Sequence, residues 1–559
     1  MTPEPPAHPL DGGIDLLRAA YGAGLSPVAV VDEVLARIDG CADQAIWIDV
    51  EPADQLRSAA KALDEVAMEG HPLWGVPFAV KDNIDVAGRV TTAGLPGAAR
   101  RADRSATVID RLRSAGAIYV GKTNLDQVAT GLVGTRSPYG TPVNPLDPAL
   151  IPGGSSSGSA VAVALGHVTF ALGTDTAGSG RVPAAMCGSV GLKGAPGTRP
   201  TDGVVPASPS IDCVSTFART VADGLTVESV IGAGPWPVAA GPFTVAVARG
   251  AEAVADPLVA VGNHVVEVDL GPFHEAGDLL YGGPWLADRT AALLDLLDDL
   301  PEGLVEVVHT VVAGGAAYRG TEVFAAQRRL AELRAELATW WAETDVLVLP
   351  TVPWLATLAE VAADPIGANA RLGRNTTFAN LLGLAAIAVP AAGVAGGVTV
   401  LGPEGHVAAI AAVAAQVTAE ALVPGALAGN DHLHLAVVGA HLRGQPLNGQ
   451  LLAQGAELVA ATHTAPRYRL HRLPGGPPLR PALERVDGCG RSIEVEVWSI
   501  DAAGLGRVMA AVAPPLGIGT IELVDGRWVK GFICETHGLA DAPDITTFGG
   551  WRAYLQSLD

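Results

Sequence analysis

Apolar and polar residues follow helical and strand-like patterns in turn along most of this chain. The segment LRAAYGAGLSPVAVVDEVLARI has apolar residues at helical spacing and predicts two N-terminal helices, with Ser26 as the N-cap of the second and Pro27 in its first turn. In GVPFAVKDNID a short apolar run ends in polar residues, so Lys81 is expected at the end of a strand. Residues 106–124 predict a helix that is closed by Gly116 and followed by a strand.

The alternation of helices and strands continues beyond Pro350. Residues 346–354 and 385–393 are apolar enough for core strands, and a helical run at 407–422 closes this part of the chain. Such alternation is typical of α/β proteins. We therefore predict an α/β fold with a mixed central sheet covered by helices on both faces.

A turn-rich segment, VPGALAGNDH, interrupts the pattern near residue 430. Beyond it, residues 433–444 and 492–500 are strand-like, and the loops between strands are short. We therefore predict two domains, residues 1–428 and residues 429–559, of which the second is a smaller α+β domain of ordinary size.

Composition limits the classes of partner. The chain has 559 residues, too many for one ordinary core, and only 17% of them are charged. The formal net charge of −22 argues against nucleic acid and anionic membranes, because both require a basic face. An anionic substrate would need a local cationic side chain that works against this overall field.

The cysteines and the apolar segments predict a soluble cytoplasmic protein. The 5 cysteines are scattered, with neither a CxxC pair nor zinc-ligand spacing, so we expect reduced thiols and no metal site. The N-terminus has no basic and apolar regions of a signal peptide. The most apolar long stretch, residues 381–402, is interrupted by Pro390 and glycines, which favours buried strands with a turn over a membrane span.

Three short runs carry the candidate chemistry. Ser155 lies in GGSSSGSAVAVALG, Ser179 in LGTDTAGSGRVPA, and Lys81 in GVPFAVKDNID. Hydrolysis of an amide needs a nucleophile, a proton shuttle and donors for the oxyanion. A serine can be the nucleophile if a base takes its proton, and a lysine can be that base only when it is neutral.

Each run alone has a simpler interpretation. GGSSSG is usually a linker or a phosphate cradle, and KDN is usually a solvated turn. The cradle lacks the Gly-Lys-Ser/Thr that completes a P-loop, and neither a GxSxG elbow nor a histidine occurs in these runs. A P-loop and a histidine-based triad are therefore not supported.

Taken together, in this order and spacing, the runs resemble the amidase signature family. The resemblance implies that Ser179 is the nucleophile, that Ser155 relays protons and follows a cis peptide bond, and that Lys81 is a buried base bonded to Ser155. It also implies an oxyanion hole made by the backbone N–H groups of Thr176, Ala177 and Gly178, and no cofactor. The chain departs from the family pattern mildly, with Ala177 where many members have glycine. A second departure is the glycine-rich stretch CGSVGLKGAPGTRPTDG, which lies outside the three runs.

The segment LLYGGPWLADRTAAL resembles the allophanate hydrolase branch of this family. The resemblance implies that Tyr281 and Arg289 hold the substrate, and Gly131 is a further candidate for lining the pocket. Eight residues are a little over two helical turns, so both side chains could face one pocket. Arginine suits the carboxylate of allophanate, and it would be the local cation that the acidic chain requires. On local pattern alone, an aromatic-rich helix start with a surface arginine is the simpler interpretation.

The C-terminal region resembles the carboxy-terminal domain of allophanate hydrolases, which is similar in fold to γ-glutamylcyclotransferase-like proteins. AVVGAHLRGQPLNGQL, IEVEVW and DITTFGGWRAYL carry this resemblance, and it implies a functional role for His441. In the family this domain decarboxylates N-carboxycarbamate or stabilises the oligomer, and the sequence leaves both roles open. A histidine at a strand end is also often structural.

The resemblance as a whole implies hydrolysis of allophanate to ammonia and carbon dioxide, in urea or cyanuric acid catabolism. It further implies a homodimer and a urea carboxylase, on a separate chain, as the functional partner. Three alternatives stay open at this point. They are a general short-chain amidase, an amidotransferase subunit that works with protein and nucleic-acid partners, and a binding scaffold without activity.

Overall fold

The computed structural model describes residues 8–41, 44–232, 236, 238–280, 282–297, 300–422, 432–486, 488, 490–524 and 528–558. The chain divides into two compact units, Met1–Gly429 and Asn430–Asp559. Each unit has its own hydrophobic core.

The first unit alternates strands and helices along its length. Its strands are β1 (Trp47–Val50), β2 (Pro77–Lys81), β3 (Val90–Thr91), β4 (Arg100–Arg101), β5 (Ile118–Thr123), β6 (Phe170–Asp175), β7 (Val190–Lys193), β8 (Cys213–Ala218), β9 (Thr244–Val247), β10 (His264–Glu267), β11 (Val346–Pro350), β12 (Leu384–Ala391) and β13 (Val394–Pro403). Its α-helices are α1 (Gly13–Gly22), α2 (Pro27–Asp39), α3 (Ala53–Ala62), α4 (Thr107–Ser114), α5 (Ser157–Ala164), α6 (Val182–Cys187), α7 (Val221–Ile231), α8 (Ala255–Ala260), α9 (Gly271–Asp278), α10 (Leu286–Leu297), α11 (Glu306–Gly314), α12 (Gly320–Trp341), α13 (Leu358–Ala363), α14 (Gly367–Leu372), α15 (Phe378–Leu381) and α16 (Val407–Thr418).

Eleven of these strands form one sheet in the order β1-β5-β2-β6-β8-β7-β12-β13-β11-β9-β10. β2 is parallel to β5 and β6, and β9 is parallel to β10 and β11. The remaining pairs are antiparallel. The sheet is therefore mixed, which confirms the prediction. Because β2 and β6 are parallel neighbours, their carboxyl ends, Lys81 and Asp175, meet at the same edge.

Both faces of this sheet are buried, because alternate residues of a strand point to opposite sides. In β11, Val346 and Val348 belong to one apolar cluster, which includes residues of α16, whereas Leu347 and Leu349 belong to another, which includes residues of α12. Helices thus cover the two faces, as predicted.

The predicted helix ends are also seen. Ser26 Oγ accepts a hydrogen bond from Ala29 N at 3.1 Å, and Pro27 begins α2. α4 ends before Gly116, whose φ of +89° turns the chain towards β5. The prediction for the last helix was too long. α16 ends at Thr418 because Ala419 adopts the left-handed conformation.

The second unit has a five-stranded sheet and a two-stranded ribbon. Its strands are β14 (His432–Val437), β15 (Glu457–His463), β16 (Tyr468–Arg472), β17 (Pro481–Arg485), β18 (Glu494–Asp501), β19 (Leu516–Glu522) and β20 (Trp528–Cys534), and its helices are α17 (Asn448–Leu452), α18 (Ala502–Ala510) and α19 (Trp551–Gln556). The sheet order is β15-β18-β14-β20-β19, and β16 pairs with β17. This smaller α+β unit matches the predicted class. The predicted strand at 433–444 ends early, at Val437.

Within the described residues, no helix is both long and apolar enough to cross a membrane. The apolar stretch at 381–402 contributes instead to the antiparallel neighbours β12 and β13. This outcome confirms the prediction of buried strands with a turn.

Candidate active site

Lys81, at the end of β2, is completely buried. Its Nζ lies 2.8 Å from Ser155 Oγ and 2.7 Å from Thr174 Oγ1, and it donates a hydrogen bond to each. The predicted burial of this lysine and its bond to Ser155 are therefore confirmed. Thr174, near the end of the adjacent strand β6, is a contact that the sequence analysis missed.

The surroundings of Lys81 favour its neutral form. Burial lowers the pKa of Lys81 to about 7, because an ammonium group loses hydration there. The carboxylates of Asp126, Asp175 and Asp212 act in the opposite direction, and the positive charge of Arg289 lowers the pKa further. A substantial neutral fraction at neutral pH is what a lysine base needs.

Ser155 begins a tightly packed turn. The Gly154–Ser155 peptide bond is cis, as the resemblance implied. The carbonyl of Ser155 accepts a hydrogen bond from Asp126 N at 2.9 Å. Gly153 has a φ of +73°, and a Cβ atom on Gly154 would clash with Asp126 Oδ2. Glycine is therefore required on both positions before the serine.

Asp126 also organises the neighbouring loop. Its carboxylate accepts hydrogen bonds from the backbone N–H groups of Val133, Gly134 and Arg136, at 2.9–3.2 Å. A Cβ atom on Gly131 would lie 2.5 Å from the same carboxylate. Close packing against Asp126 thus explains why residue 131 is glycine, and lining of a substrate pocket by Gly131 stays a prediction.

A buried ion pair shapes the loop that carries Ser179. Asp175, at the end of β6, accepts two hydrogen bonds of 2.9 Å from the guanidinium group of Arg181. Both side chains are fully buried. Burial by itself raises the pKa of Asp175, but the charge and hydrogen bonds of Arg181, the charge of Lys193 and the N–H group of Gly180 together hold that pKa below its ordinary value.

The same carboxylate changes the predicted set of oxyanion donors. Gly178 N donates to Asp175 Oδ1 at 2.9 Å, so this N–H group is engaged and not free for an oxyanion. Among the described contacts, the backbone N–H groups of Thr176, Ala177 and Ser179 have no hydrogen-bond acceptor. The geometry therefore replaces Gly178 by Ser179 as a candidate donor. Sequence reasoning missed this because it considered the small residues of the run and not its aspartate.

Distant segments hold the other side of the loop. Thr376 Oγ1 donates to the carbonyl of Ala177 at 2.7 Å, and Asn380 Nδ2 donates to the carbonyl of Asp175 at 2.7 Å. Gly178 has a φ of +128°, and a Cβ atom there would clash with Thr376. Glycine at position 178 is thus needed for backbone shape and close packing.

Ser179 is 2% exposed and lies between this loop and α6. Within the described residues, its Oγ has no hydrogen bond, and in particular none to Ser155. Catalytic hydrogen bonds often tighten only when substrate is bound, so this geometry is compatible with a nucleophile.

The charge of Arg289 reaches this centre, since it lowers the pKa of Lys81. It is 2% exposed, and its Nη1 donates to Thr130 Oγ1 at 2.7 Å and to the carbonyl of Ala129 at 3.2 Å. The simpler interpretation as a surface arginine is therefore wrong. Tyr281 lies outside the described residues. Residues 282–285 are not helical, and α10, which carries Arg289, begins at Leu286. The role predicted for Tyr281 stays a prediction.

His441, in the second unit, lines a cavity of about 140 Å³ whose wall is mainly apolar. Its ring stacks on Phe532 with centroids 5.1 Å apart, and its Nε2 lies 3.0 Å from Gln450 Oε1. Burial lowers the pKa of His441, which favours the neutral ring. Its functional role stays a prediction. In the parts of the chain that the structure describes, no group of three His, Cys, Asp or Glu side chains is arranged to hold a metal ion.

Comparison with known proteins agrees with these two units. The sequence profile of the family Amidase matches residues 29–240 and 240–408, and that of the allophanate hydrolase C-terminal domain matches residues 433–556. The urea amidolyase of Saccharomyces cerevisiae is 38% identical over an alignment 550 positions long, which covers 87% of this chain and 30% of that protein. The chain thus spans less than one third of the length of this curated relative.

Two solved structures from Kluyveromyces lactis are similar to nearly the whole chain. Its allophanate hydrolase matches with a TM-score of 0.69 and 34% identity, over 98% of this chain and 99% of that one. Its urea amidolyase matches with a TM-score of 0.69 and 35% identity, over 98% of this chain and 37% of that one. The family profiles and the shared fold therefore establish that this protein belongs to the amidase family and carries a C-terminal domain of the allophanate hydrolase type.

Proposed function

We propose that this protein hydrolyses allophanate, the carboxylate of urea, to ammonia and carbon dioxide. The observation that carries the proposal is the pairing, in one buried centre, of the Lys81–Ser155 contact with the cation Arg289. The Lys81–Ser155 contact supplies the base and the proton relay that amide hydrolysis needs. Arg289 supplies the positive charge that binds an anionic amide. Similarity to an allophanate hydrolase over both units supports this substrate.

In the first half-reaction, Ser179 Oγ attacks the terminal amide carbon. Its proton passes to Ser155 as Ser155 gives its own proton to neutral Lys81, which lies 2.8 Å away. The N–H groups of Thr176, Ala177 and Ser179 stabilise the oxyanion. The proton then returns through Ser155 to the leaving nitrogen, the C–N bond breaks, and ammonia departs.

In the second half-reaction, water attacks the ester carbon of the acyl-enzyme and loses its proton along the same path. The C–O bond to Ser179 breaks, and the serine regains its proton. The product is N-carboxycarbamate, which loses carbon dioxide to leave carbamate. Carbamate then breaks down to ammonia and carbon dioxide, so one allophanate yields two molecules of each.

Arg289 is assigned to the substrate carboxylate. Guanidinium groups bind carboxylates through two parallel hydrogen bonds, which orients a planar substrate. Burial strengthens this interaction, because few water molecules compete. The arginine also supplies the local positive charge that a protein with a net charge of −22 needs to bind an anion.

The direct test is release of ammonia and carbon dioxide by the purified protein. Allophanate is compared with malonamate, biuret and the neutral amide propionamide. We expect a strong preference for allophanate and two ammonia molecules for each one consumed. Preferential turnover of propionamide would retain the amide-hydrolysing centre and overturn the substrate, in favour of a general short-chain amidase.

A variant test isolates the carboxylate. Arg289→Ala should lower kcat/KM for allophanate about 100-fold, since a buried charged hydrogen bond is worth about 2–3 kcal/mol. Turnover of propionamide should change little when it is measured on the alkaline plateau of its pH profile, where Lys81 is neutral in both proteins. Arg374→Ala is the matched control, because this arginine is exposed and pairs with Asp278. An equal loss with both substrates would contradict the assigned role.

The proposal extends to the setting of the reaction. A urea-carboxylating enzyme would supply allophanate, which fits the name urea amidolyase of the relatives. We also propose a homodimer in the cytoplasm, and size-exclusion chromatography with light scattering tests the dimer. Activity that depends on added partner subunits would instead favour an amidotransferase.

A further inference from the structure

We propose that Ser208 and Asp288 are positioning residues that set the distance between Arg289 and the oxyanion loop, and so select for an amide and a carboxylate separated by a single atom. This inference rests on the proposed function. It concerns the segment 207–212, which we term the bridge segment.

One end of the bridge segment is tied to the oxyanion loop. Asp212 accepts a hydrogen bond from the hydroxyl group of Thr176, one of the candidate oxyanion donors. Asn380 Nδ2 donates to the carbonyls of both Ile211 and Asp175, at 2.9 and 2.7 Å. Two contacts therefore hold this end of the segment in a fixed place beside the loop.

The other end is tied to helix α10. Asp288, which immediately precedes Arg289, accepts a hydrogen bond from Ser208 Oγ at 2.5 Å and another from Ser210 Oγ at 2.8 Å. Trp285 Nε1 donates to Ser210 Oγ at 3.2 Å. The first turn of α10 is thus anchored to the bridge segment directly beside the arginine.

Ser208 joins the two ends. This serine is completely buried, its N–H group donates to the carboxylate of Asp212 at 3.0 Å, and its hydroxyl group donates to Asp288. Ala207 N also donates to Asp212, at 2.8 Å, which closes the segment on itself. A short chain of hydrogen bonds consequently connects Thr176 to the turn that carries Arg289.

The short distance between the amide and the carboxylate of the substrate requires a fixed distance between their two binding sites. In allophanate one nitrogen atom separates the amide carbon from the carboxylate carbon, so the molecule tolerates little variation between its two binding sites. A displacement of about 1 Å can cost about 100-fold in rate. A helix N-terminus held only by apolar packing would allow such shifts, whereas hydrogen bonds to a buried serine restrict them.

The alternative is that Asp288 only stabilises the start of α10, since acidic residues are favoured in the first turn of a helix. The two roles differ in their effect on substrates. A stabilising role would affect all amides alike. A positioning role would affect only those that use Arg289, because the bond between Asp212 and Thr176 stays intact when Asp288 is changed.

The experiment compares Asp288→Ala with the wild type on allophanate and propionamide. We expect kcat/KM for allophanate to fall about 10- to 100-fold, mainly through KM, and propionamide turnover to change by less than about threefold. Relative activity on succinamate, whose amide and carboxylate are one atom further apart, should rise. Asp288→Asn should reduce kcat/KM for allophanate less than Asp288→Ala does, because the amide oxygen of asparagine still accepts hydrogen bonds from the two serines. Asp278→Asn, which alters an exposed ion pair, is the matched control.

Ser210→Ala supplies a milder test if Asp288→Ala folds poorly, because Ser210 is exposed. It should reproduce the selective loss on allophanate to a smaller degree. Equal losses on both substrates, or unchanged selectivity, would overturn the positioning role while leaving the proposed function intact. A wild-type protein without preference for allophanate over propionamide would overturn the proposed function, and this inference with it.

Discussion

The centre around Lys81 in the first unit is completely buried, whereas His441 in the second unit is half-buried, and the surroundings of the two differ in kind. Lys81 has hydroxyl partners at 2.7 and 2.8 Å, and three carboxylates affect its pKa. His441 has an aromatic ring on one side and the amide of Gln450 as its partner. Around Lys81, burial lowers the pKa of the lysine and the carboxylates raise it, so the lysine changes its protonation state near neutral pH. The environment of His441 favours the neutral ring, which can bind a ligand or accept a single proton.

A role of the second unit in a later step than the first stays a prediction, and this contrast supports it. Formation and hydrolysis of an acyl-enzyme need several proton transfers along one path, and the first unit provides neighbouring groups for them. Loss of carbon dioxide from a carbamate needs less from the protein, and a mainly apolar cavity disfavours a charged carboxylate. The predictions below test whether the two units separate in this way.

Removal of the nucleophile should have the largest effect. Ser179→Ala should lower release of the first ammonia at least about 10⁴-fold, since the acyl-enzyme cannot form. Thermal unfolding should be nearly unchanged, because the hydroxyl group has no hydrogen bond among the described residues. Ammonia release and calorimetry measure both quantities. Persistent hydrolysis would rule out Ser179 as the nucleophile.

The run of three serines allows a matched pair. Ser155→Ala should reduce kcat/KM by about 10²- to 10⁴-fold, because it removes the proton relay to Lys81. Ser157→Ala should have little effect, since the buried Oγ of Ser157 has no hydrogen-bond partner in the described structure. Parallel assays on allophanate compare the two. Similar losses in both variants would point to a packing defect in the loop instead.

The pH profile reports the state of Lys81. This lysine must be neutral to act as a base, and burial lowers its pKa to about 7. Activity on propionamide should therefore fall about tenfold per pH unit below 7 and level off above it. Arg289→Met should move the midpoint upward, because the arginine charge lowers the pKa of Lys81. A profile that is flat between pH 5 and 8 would contradict the lysine mechanism.

A substitution in the second unit should have the smallest effect on the release of the first ammonia. His441→Ala should leave release of the first ammonia unchanged, because the described contacts of His441 lie within the second unit. Carbon dioxide release should lag behind ammonia if the cavity acts on N-carboxycarbamate. Simultaneous release at the wild-type rate would assign this unit a role other than decarboxylation.

Much of the fold was predictable, because local signals agree with it. Ser26 and Pro27 mark the start of α2, and Gly116 marks the turn between α4 and β5. The alternation of predicted strands and helices indicated a mixed sheet with both faces covered. The order of its eleven strands could not be predicted. Strand order depends on pairing between distant segments, for which one sequence holds no local signal. Helix ends such as Thr418 were missed because a backbone conformation, and not a residue type, sets them.

The candidate site divides in a similar way. Ser155, Ser179 and Lys81 could be named from their three runs taken together and from the family that these resemble, and their catalytic roles stay predictions. The engagement of Gly178 by Asp175 was missed, although both lie in the same run. Which backbone N–H groups remain free depends on where a carboxylate points, and that direction is set by the ion pair with Arg181.

The sequence by itself determined the residue types, their order along the chain, the strand and helix character of most segments, and the family they resemble. These properties depend on neighbours a few positions apart, where spacing and side-chain chemistry suffice. Only the tertiary structure decided that Lys81 is fully buried, that the charge of the buried Arg289 acts on it, and that a hydrogen-bonded bridge connects Thr176 with α10. Burial and hydrogen-bond geometry arise only when segments far apart in the chain pack together. This packing removes water, and the loss of water shifts the pKa of a buried group and strengthens the interactions of a buried charge.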